Sequence, residues 1–376
     1  MLGFREHLSR RGDWRSPRWA RIHKPVRFDC RILPHEVARA DAERRATAGR
    51  PYTTRDADER GPTPSSKTMS RIATIDIGTN TTLLLIAEVS GGTITVLEDR
   101  AEITRLGRGI GGDEGLGQDG IDRTLAVLSG YAVLARVHEA PIFAIGTEAL
   151  RRAPNAADFL CRAAALLDTP VEVIDGEREA ALNFLAAKLS FPEAASHTMM
   201  VIDIGGGSTE VIVARRGTVD FCRSLPIGSV RLTERHIHHD PALAHEVEAL
   251  RAEIVSHLAK TPFPSEKGRP CLVGVAGTVT TLAAMAQNLQ SYDPALVHGY
   301  RLALPTLERQ VDRLAASTQR EREAMAGLDP RRADVILSGA VILSEIVRRV
   351  GAHISEVLVS DRGIRWGLLY EKAGMG

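Results

Sequence analysis

The stretch from Val201 to Glu210 reads Val-Ile-Asp-Ile-Gly-Gly-Gly-Ser-Thr-Glu: an apolar run carrying a carboxylate near its end, then three consecutive glycines and two hydroxyls. Glycines directly after a buried strand let backbone N–H groups approach an anion with no Cβ in the way. Gly205, Gly206, Gly207, Ser208 and Thr209 are therefore candidate phosphate-binding residues, and Asp203 is placed to hold a cation or a water beside the anion. Taken alone, the run is weak evidence, since a tight hairpin turn is its rival.

A second copy of the plan favours the chemical reading. Ile72 to Thr82 reads Ile-Ala-Thr-Ile-Asp-Ile-Gly-Thr-Asn-Thr-Thr, so that Asp76 matches Asp203, Gly78 matches Gly205 and Thr82 matches Thr209. Gly78, Thr79, Asn80 and Thr81 form its loop. Past each loop the pattern alternates into a glycine turn, Gly91-Gly92 in the first copy and Gly217 in the second, and runs on. Both copies predict three short antiparallel strands whose first hairpin presents a small, hydroxyl-bearing loop. Two such loops imply an α/β protein of two related domains with a cleft between them. The rival for Asp76 and Asp203 is capping of the turn that follows, as Asp often does.

The remaining elements must bring other groups to that cleft. After the first trio the periodicity predicts a helix over 121–140, a buried strand over 142–145 ending in Gly146-Thr147, a helix near 156–167, a strand over 171–174 and a helix opening at Gly176. Glu177 and Glu179 lie in the first turn of that last helix, where the macrodipole accounts for one carboxylate but does not require two. The second half repeats the order, with helices expected over 241–258, 305–315 and 332–350, a strand over 272–275, a strand over 356–360 and a last helix over 363–370. Ala276-Gly277-Thr278 follows its strand as Gly146-Thr147 follows the earlier one, and the helix beyond it would aim N–H groups at the same cleft. Gly277 and Thr278 join the phosphate-binding candidates. Arg105 and Arg108 read either as substrate contacts or as part of a solvated connection, and Arg231 and Arg365 either as phosphate ligands or as partners of surface carboxylates.

The domains are expected at 69–195 and 196–376, behind an extension over 1–68. The chain has 376 residues, 44% hydrophobic and 25% charged, with a net charge of +1, a composition that suits two globular domains. Residues 1–68 carry 16 Lys+Arg against 9 Asp+Glu, and the rest 32 against 38. A nucleic-acid-binding body would show the opposite sign, so no nucleic-acid partner is expected. The extension reads as disordered on composition, with a basic arm for a polyanion as its rival, and Met69 stands where a start could lie. The four cysteines form no CxxC pair, so neither a zinc site nor a disulfide framework is expected. Without an h-region or an 18-residue apolar span, no membrane partner is expected, and a cytoplasmic location is the default.

With these motifs in hand, the chain over 70–372 resembles the exopolyphosphatase and guanosine pentaphosphate phosphohydrolase (Ppx/GppA) family in its short, two-domain form. The resemblance rests on Asp-Ile-Gly-Gly-Gly-Ser-Thr-Glu at 203–210, Ser-Leu-Pro-Ile-Gly-Ser-Val-Arg-Leu-Thr at 224–233 and Arg-Ala-Asp-Val-Ile at 332–336. It implies two actin-like (ribonuclease-H-like) domains and hydrolysis of terminal phosphoanhydride bonds of inorganic polyphosphate. Guanosine pentaphosphate, cleaved to the tetraphosphate, is implied as a second substrate. It further implies Glu179 as the glutamate that activates water, Asp203 and Glu210 as acidic catalytic residues, Asp76 and Asp203 as ligands of Mg²⁺ or Mn²⁺, and allows a homodimer. Two positions depart from the family: Leu83 stands where Arg or His is common, and Arg178 where a second acid is common. Two rivals remain at this level, a non-catalytic sensor of polyphosphate or an alarmone and an ATP-dependent kinase of the same superfamily.

Overall fold

A computed structural model describes residues 70–110, 115–263, 270–351 and 354–375; the extension over 1–68 and Met69 lie outside them. The first half forms β1 (Ser70–Ile77), β2 (Thr81–Ser90), β3 (Thr93–Ile103), α1 (Gln118–Val137), β4 (Ile142–Gly146), α2 (Glu148–Arg152), α3 (Ala156–Leu167), β5 (Val171–Val173) and α4 (Gly176–Ser190). After α5 (Pro192–Ala195), the second half forms β6 (Thr198–Ile204), β7 (Thr209–Arg215), β8 (Thr218–Leu225), α6 (Ser229–His236), α7 (Ala244–Ala259), β9 (Cys271–Val275) and α8 (Ala276–Ala286). It closes with α9 (Pro294–Val297), β10 (Arg301–Ala303), α10 (Leu304–Ala316), α11 (Gln319–Glu323), α12 (Ile336–Val350), β11 (Glu356–Val359) and α13 (Ile364–Lys372).

The duplication seen in the glycine loops extends to whole sheets. The first has order β3-β2-β1-β4-β5 and the second β10-β11-β9-β6-β7-β8. In each, an antiparallel trio is joined to parallel strands through its first member: β1 pairs with β2 and β4, and β6 with β7 and β9. Central β1 and β6 are buried along nearly their whole length because neighbours and helices cover both faces, so they read as continuous apolar runs. Edge strands β3 and β8 are largely exposed or half-buried.

Some helix starts differ from the expected ones. α7 begins at Ala244 and not at Pro241, because the Glu246 carboxylate accepts the Leu243 N–H (2.9 Å) and sets the cap there. α12 begins at Ile336, since Pro330–Arg332 forms a 3-10 turn capped by Asp329. α8 begins at Ala276, which places Gly277 and Thr278 inside its first turn.

Helices α4 and α13 each follow the last parallel strand of one half and pack against the sheet of the other. Ala180, Phe184 and Ala187 of α4 join Met199, Val201, Ile212 and Ala214 of the second sheet. Trp366, Leu369 and Tyr370 of α13 join Ile72, Leu85 and Ala87 of the first. The second half, read as one block over 196–376, thus sends its last helix onto the first sheet. Being covered on both sides, α4 needs no single apolar stripe. The helices cross at Gly367, where a Cβ would collide with the Leu182 carbonyl oxygen. Gly367→Ala is expected to lower stability by about 1–3 kcal/mol, the strain of overpacking outweighing alanine's better helix propensity. Guanidinium unfolding checks this, and an unchanged midpoint would show that the crossing has slack.

Candidate active site

The two glycine loops fold alike and touch. Gly78 N–H donates to the Thr81 carbonyl and Gly205 N–H to the Ser208 carbonyl, both at 3.0 Å. A Cβ on Gly206 would lie 3.1 Å from the Thr79 Cβ, so the loops approach to van der Waals contact. The first turn of α6 buttresses the second loop, Val230 and Arg231 N–H donating to the Gly206 carbonyl at 2.9 and 3.1 Å. The hydroxyls divide. Thr79 Oγ1 donates to Glu148 Oε2 (3.3 Å), Arg332 Nη2 donates to Thr81 Oγ1 (3.3 Å), and Ser208 is buried beside Glu210. Thr209 donates to the Ile227 carbonyl (2.6 Å) and Thr278 to the Ile204 carbonyl (3.4 Å), so these two are engaged inside the fold. The Asn80 carbonyl accepts the Thr104 and Arg105 N–H groups at 3.0 Å each.

The sheet registers set the carboxylates. Asp76 sits opposite Leu83 in β1–β2, and Asp203 opposite Glu210 in β6–β7, so the duplicated position carries a carboxylate in one half and an apolar side chain in the other. Glu179 arrives from the first turn of α4. One oxygen from each of Glu179, Asp203 and Glu210 lies within 4.8 Å of the other two, and all three residues are buried. Glu179 does lie in the first turn of α4, as the helix-start alternative has it, but all three carboxylates have partners or surroundings beyond those alternatives. Glu179 accepts Arg151 Nη1 (2.9 Å) while Asp175 caps α4; Asp203 accepts Asn183 Nδ2; and Glu210, far from being a surface residue, accepts Ser224 Oγ at 2.6 Å.

Burial chiefly, and then mutual repulsion, pushes these acids up. Asp203 is raised to about 7 by burial and the Glu179 charge, against the Asn183 hydrogen bond. Burial and the charges of Glu179 and Asp203 raise Glu210 and Asp76 well above the carboxylate range. Glu179 is raised by burial and held down by Arg151. Asp76 Oδ1 and Glu210 Oε2 have no hydrogen-bond partner among the described residues. Three buried carboxylates brought together with too few donors for their oxygens are a poor arrangement for an empty protein and a good one for a hard, oxygen-seeking cation. The residues fit a divalent ion held by Glu179, Asp203 and Glu210; Asp76, expected as a ligand with Asp203, feels the charges of Glu179 and Asp203 but is not one of that group.

Several residues that the sequence reading passed over complete the site. Glu148, Arg151 and Arg152 follow β4 on the short helix α2, which adjoins the C-terminal end of a parallel strand, where open α/β sheets bind ligands. That position was the available signal. Asn183 lies one helical turn beyond Glu179 and so shares its face. Arg231 pairs with Glu148, and Arg365 with Asp99 in two contacts of 3.2 and 3.1 Å. Arg178 pairs with Glu371 at 2.6 Å. Arg105, weighed as a substrate contact, instead pairs with Asp334 (3.1 Å), clasping the loop after β3 to the second lobe; there Gly109 N–H also donates to Glu234 Oε1 (3.0 Å). Among the described residues, no helix is long and apolar enough to cross a membrane.

The model of the Ppx/GppA phosphatase family matches residues 85–375. Exopolyphosphatase 2 of Mycobacterium tuberculosis is 36% identical over 320 residues, covering 81% of this chain and 99% of the relative. Among solved structures, the Aquifex aeolicus PPX-GPPA enzyme is 34% identical with a TM-score of 0.68, covering 81% of this chain and 100% of that one. An exopolyphosphatase from Cytophaga hutchinsonii is 30% identical with a TM-score of 0.74, covering 81% and 98%.

Proposed function

The chain belongs to the Ppx/GppA phosphatase family, and on that premise we propose that it is an exopolyphosphatase, hydrolysing terminal phosphoanhydride bonds of inorganic polyphosphate. The observation that carries this reading is the convergence of Glu179, Asp203 and Glu210 beside two touching glycine loops at the junction of actin-like lobes. Phosphoryl transfer asks little covalent chemistry of a protein; it asks for fixed donors, a placed water and charge stabilisation.

With the Gly78 and Gly205 N–H groups closing the two turns, the backbone N–H groups of the loop residues after them, Thr79 to Thr81 and Gly206 to Ser208, with Gly277 and Thr278 at the start of α8, hold the phosphoryl oxygens. Glu179 takes the proton from water. With Oε2 fixed by Arg151, its Oε1 is left for the water, and its raised proton affinity makes it a stronger base than a solvated glutamate. The water oxygen bonds to the terminal phosphorus, the bridging P–O bond breaks, and the products are orthophosphate and a chain one phosphate shorter. Asp203 and Glu210 would hold Mg²⁺ or Mn²⁺ beside Glu179, with Asp76 as a further ligand. When bound, such an ion neutralises charge on the phosphoryl oxygens and lets the carboxylates stay ionised together.

The test is an end-point assay. Purified protein given long-chain polyphosphate and Mg²⁺ is expected to release orthophosphate without a nucleotide acceptor. Binding without release would make it a sensor, and release only with ATP and an acceptor would make it a kinase. Guanosine pentaphosphate is the second substrate proposed, and it should compete with polyphosphate in the same assay.

A further inference from the structure

Glu148 is an acid with three donors around it, at the place where an anion belongs. Its Oε1 accepts Arg152 Nη1 (3.1 Å) and Arg231 Nη2, and its Oε2 accepts Thr79 Oγ1 (3.3 Å). Arg231 comes from α6 of the second lobe, and Thr79 and Arg152 come from the first. The carboxylate also lies against the backbone of Gly207, so closely that a Cβ on that glycine would collide with Oε2. The space that the glycine run leaves open for an anion is filled by a side chain of the protein itself.

The fit is incomplete in an informative way. Two carboxylate oxygens engage Arg152, Arg231 Nη2 and Thr79, yet Arg231 Nε is buried with no partner among the described residues. A buried guanidinium N–H without an acceptor is costly, and a tetrahedral phosphoryl group offers the third oxygen that a planar carboxylate lacks. The position adjoins the proposed base, since the Glu148 charge is among those raising Glu179.

We propose that Glu148 is a stand-in for a phosphoryl group: it occupies a subsite made by Arg231, Arg152, Thr79 and the Gly207 backbone, and polyphosphate binds by displacing it. Glu148 is then an affinity-setting residue. It is not part of the bond-breaking chemistry. A site filled by its own side chain is competent for only a fraction of the time, and the apparent dissociation constant rises by that fraction. The displaced carboxylate also stays near the incoming anion and repels it. Weakly charged anions are disfavoured most, because they gain least from the two arginines.

This rests on the reading that polyphosphate binds at the glycine loops, and the test measures binding without turnover. In a Glu179→Gln background, tripolyphosphate affinity is measured by calorimetry with and without Glu148→Gln. The expected result is at least five-fold tighter binding with Glu148→Gln. Arg231→Ala should weaken binding at least ten-fold, and Glu148→Gln should no longer tighten it in that variant. Unchanged or weaker binding on Glu148→Gln overturns the proposal, as does equal tightening with Arg231 absent. Should Glu148→Gln fail to fold, Glu148→Asp, which draws the charge back by one methylene, is expected to give at least two-fold tighter binding, and no tightening there overturns it equally. Failure of the hydrolase reading shows differently, as tight binding with no orthophosphate released by the unmutated protein.

Discussion

Replacing Glu179 by Gln is expected to lower kcat on polyphosphate by about 10³-fold while shifting tripolyphosphate affinity by less than about three-fold. Gln keeps a carbonyl oxygen for Arg151, which also donates to the Ile174 carbonyl at 2.6 Å, so the local frame survives the change. What is lost is the proton acceptor. Removing one charge from a buried group of like charges relieves repulsion on Asp203 and Glu210, both of which are raised in part by Glu179. The variant should therefore fold at least as well as the parent. Steady-state kinetics together with a binding titration check this, and an equal loss of kcat and affinity in a folded variant would remove Glu179 from the role of base.

Excess chelator is expected to abolish orthophosphate release, with Mg²⁺ or Mn²⁺ restoring it; full turnover in chelator would refute the metal assignment. The same carboxylates make stability depend on pH in a direction that can be stated. Asp203 binds its proton up to about pH 7 in the fold, whereas an unfolded Asp releases it near pH ~4. Its contribution is complete below the unfolded value and is lost as pH rises through the folded one. Metal-free protein should thus lose on the order of a few kcal/mol between pH 4 and 8. A cation competes with protons for the same oxygens, so the rise in Tm on adding Mg²⁺ should be larger at pH 8 than at pH 5. Thermal melts across pH, with and without the ion, measure it. An ion effect independent of pH would place the cation elsewhere.

Much of the fold was legible because its signals are local. Apolar runs broken by Asp-x-Gly, and helical periods between them, state where strands and helices begin, and the paired loops at 76–82 and 203–209 announce two related lobes. The misplaced helix starts at 241 and 332 have different causes: the Glu246 side chain sets the first turn of α7, while a separate 3-10 turn capped by Asp329 takes up the residues before α12. The site was partly legible. Asp203 and Glu210 are neighbours in a hairpin register and could be paired from sequence, whereas the role given to Glu179 leaned on a family resemblance.

Residue order by itself determined the chemistry on offer: glycine loops after buried strands, carboxylates at fixed steps from them, and a duplicated plan that called for two lobes. Those are properties of neighbours along the chain, set by side-chain size and by the period of strand and helix. Only the tertiary structure decided which groups meet. Helices α4 and α13 pass to the opposite sheets, carrying Glu179 onto Asp203 and Glu210, and the joining of the lobes sets Glu148 against Arg231 and Gly207. Such meetings depend on the packing of distant faces, where burial turns a few ångströms into large differences in charge energy, and no local spacing records them.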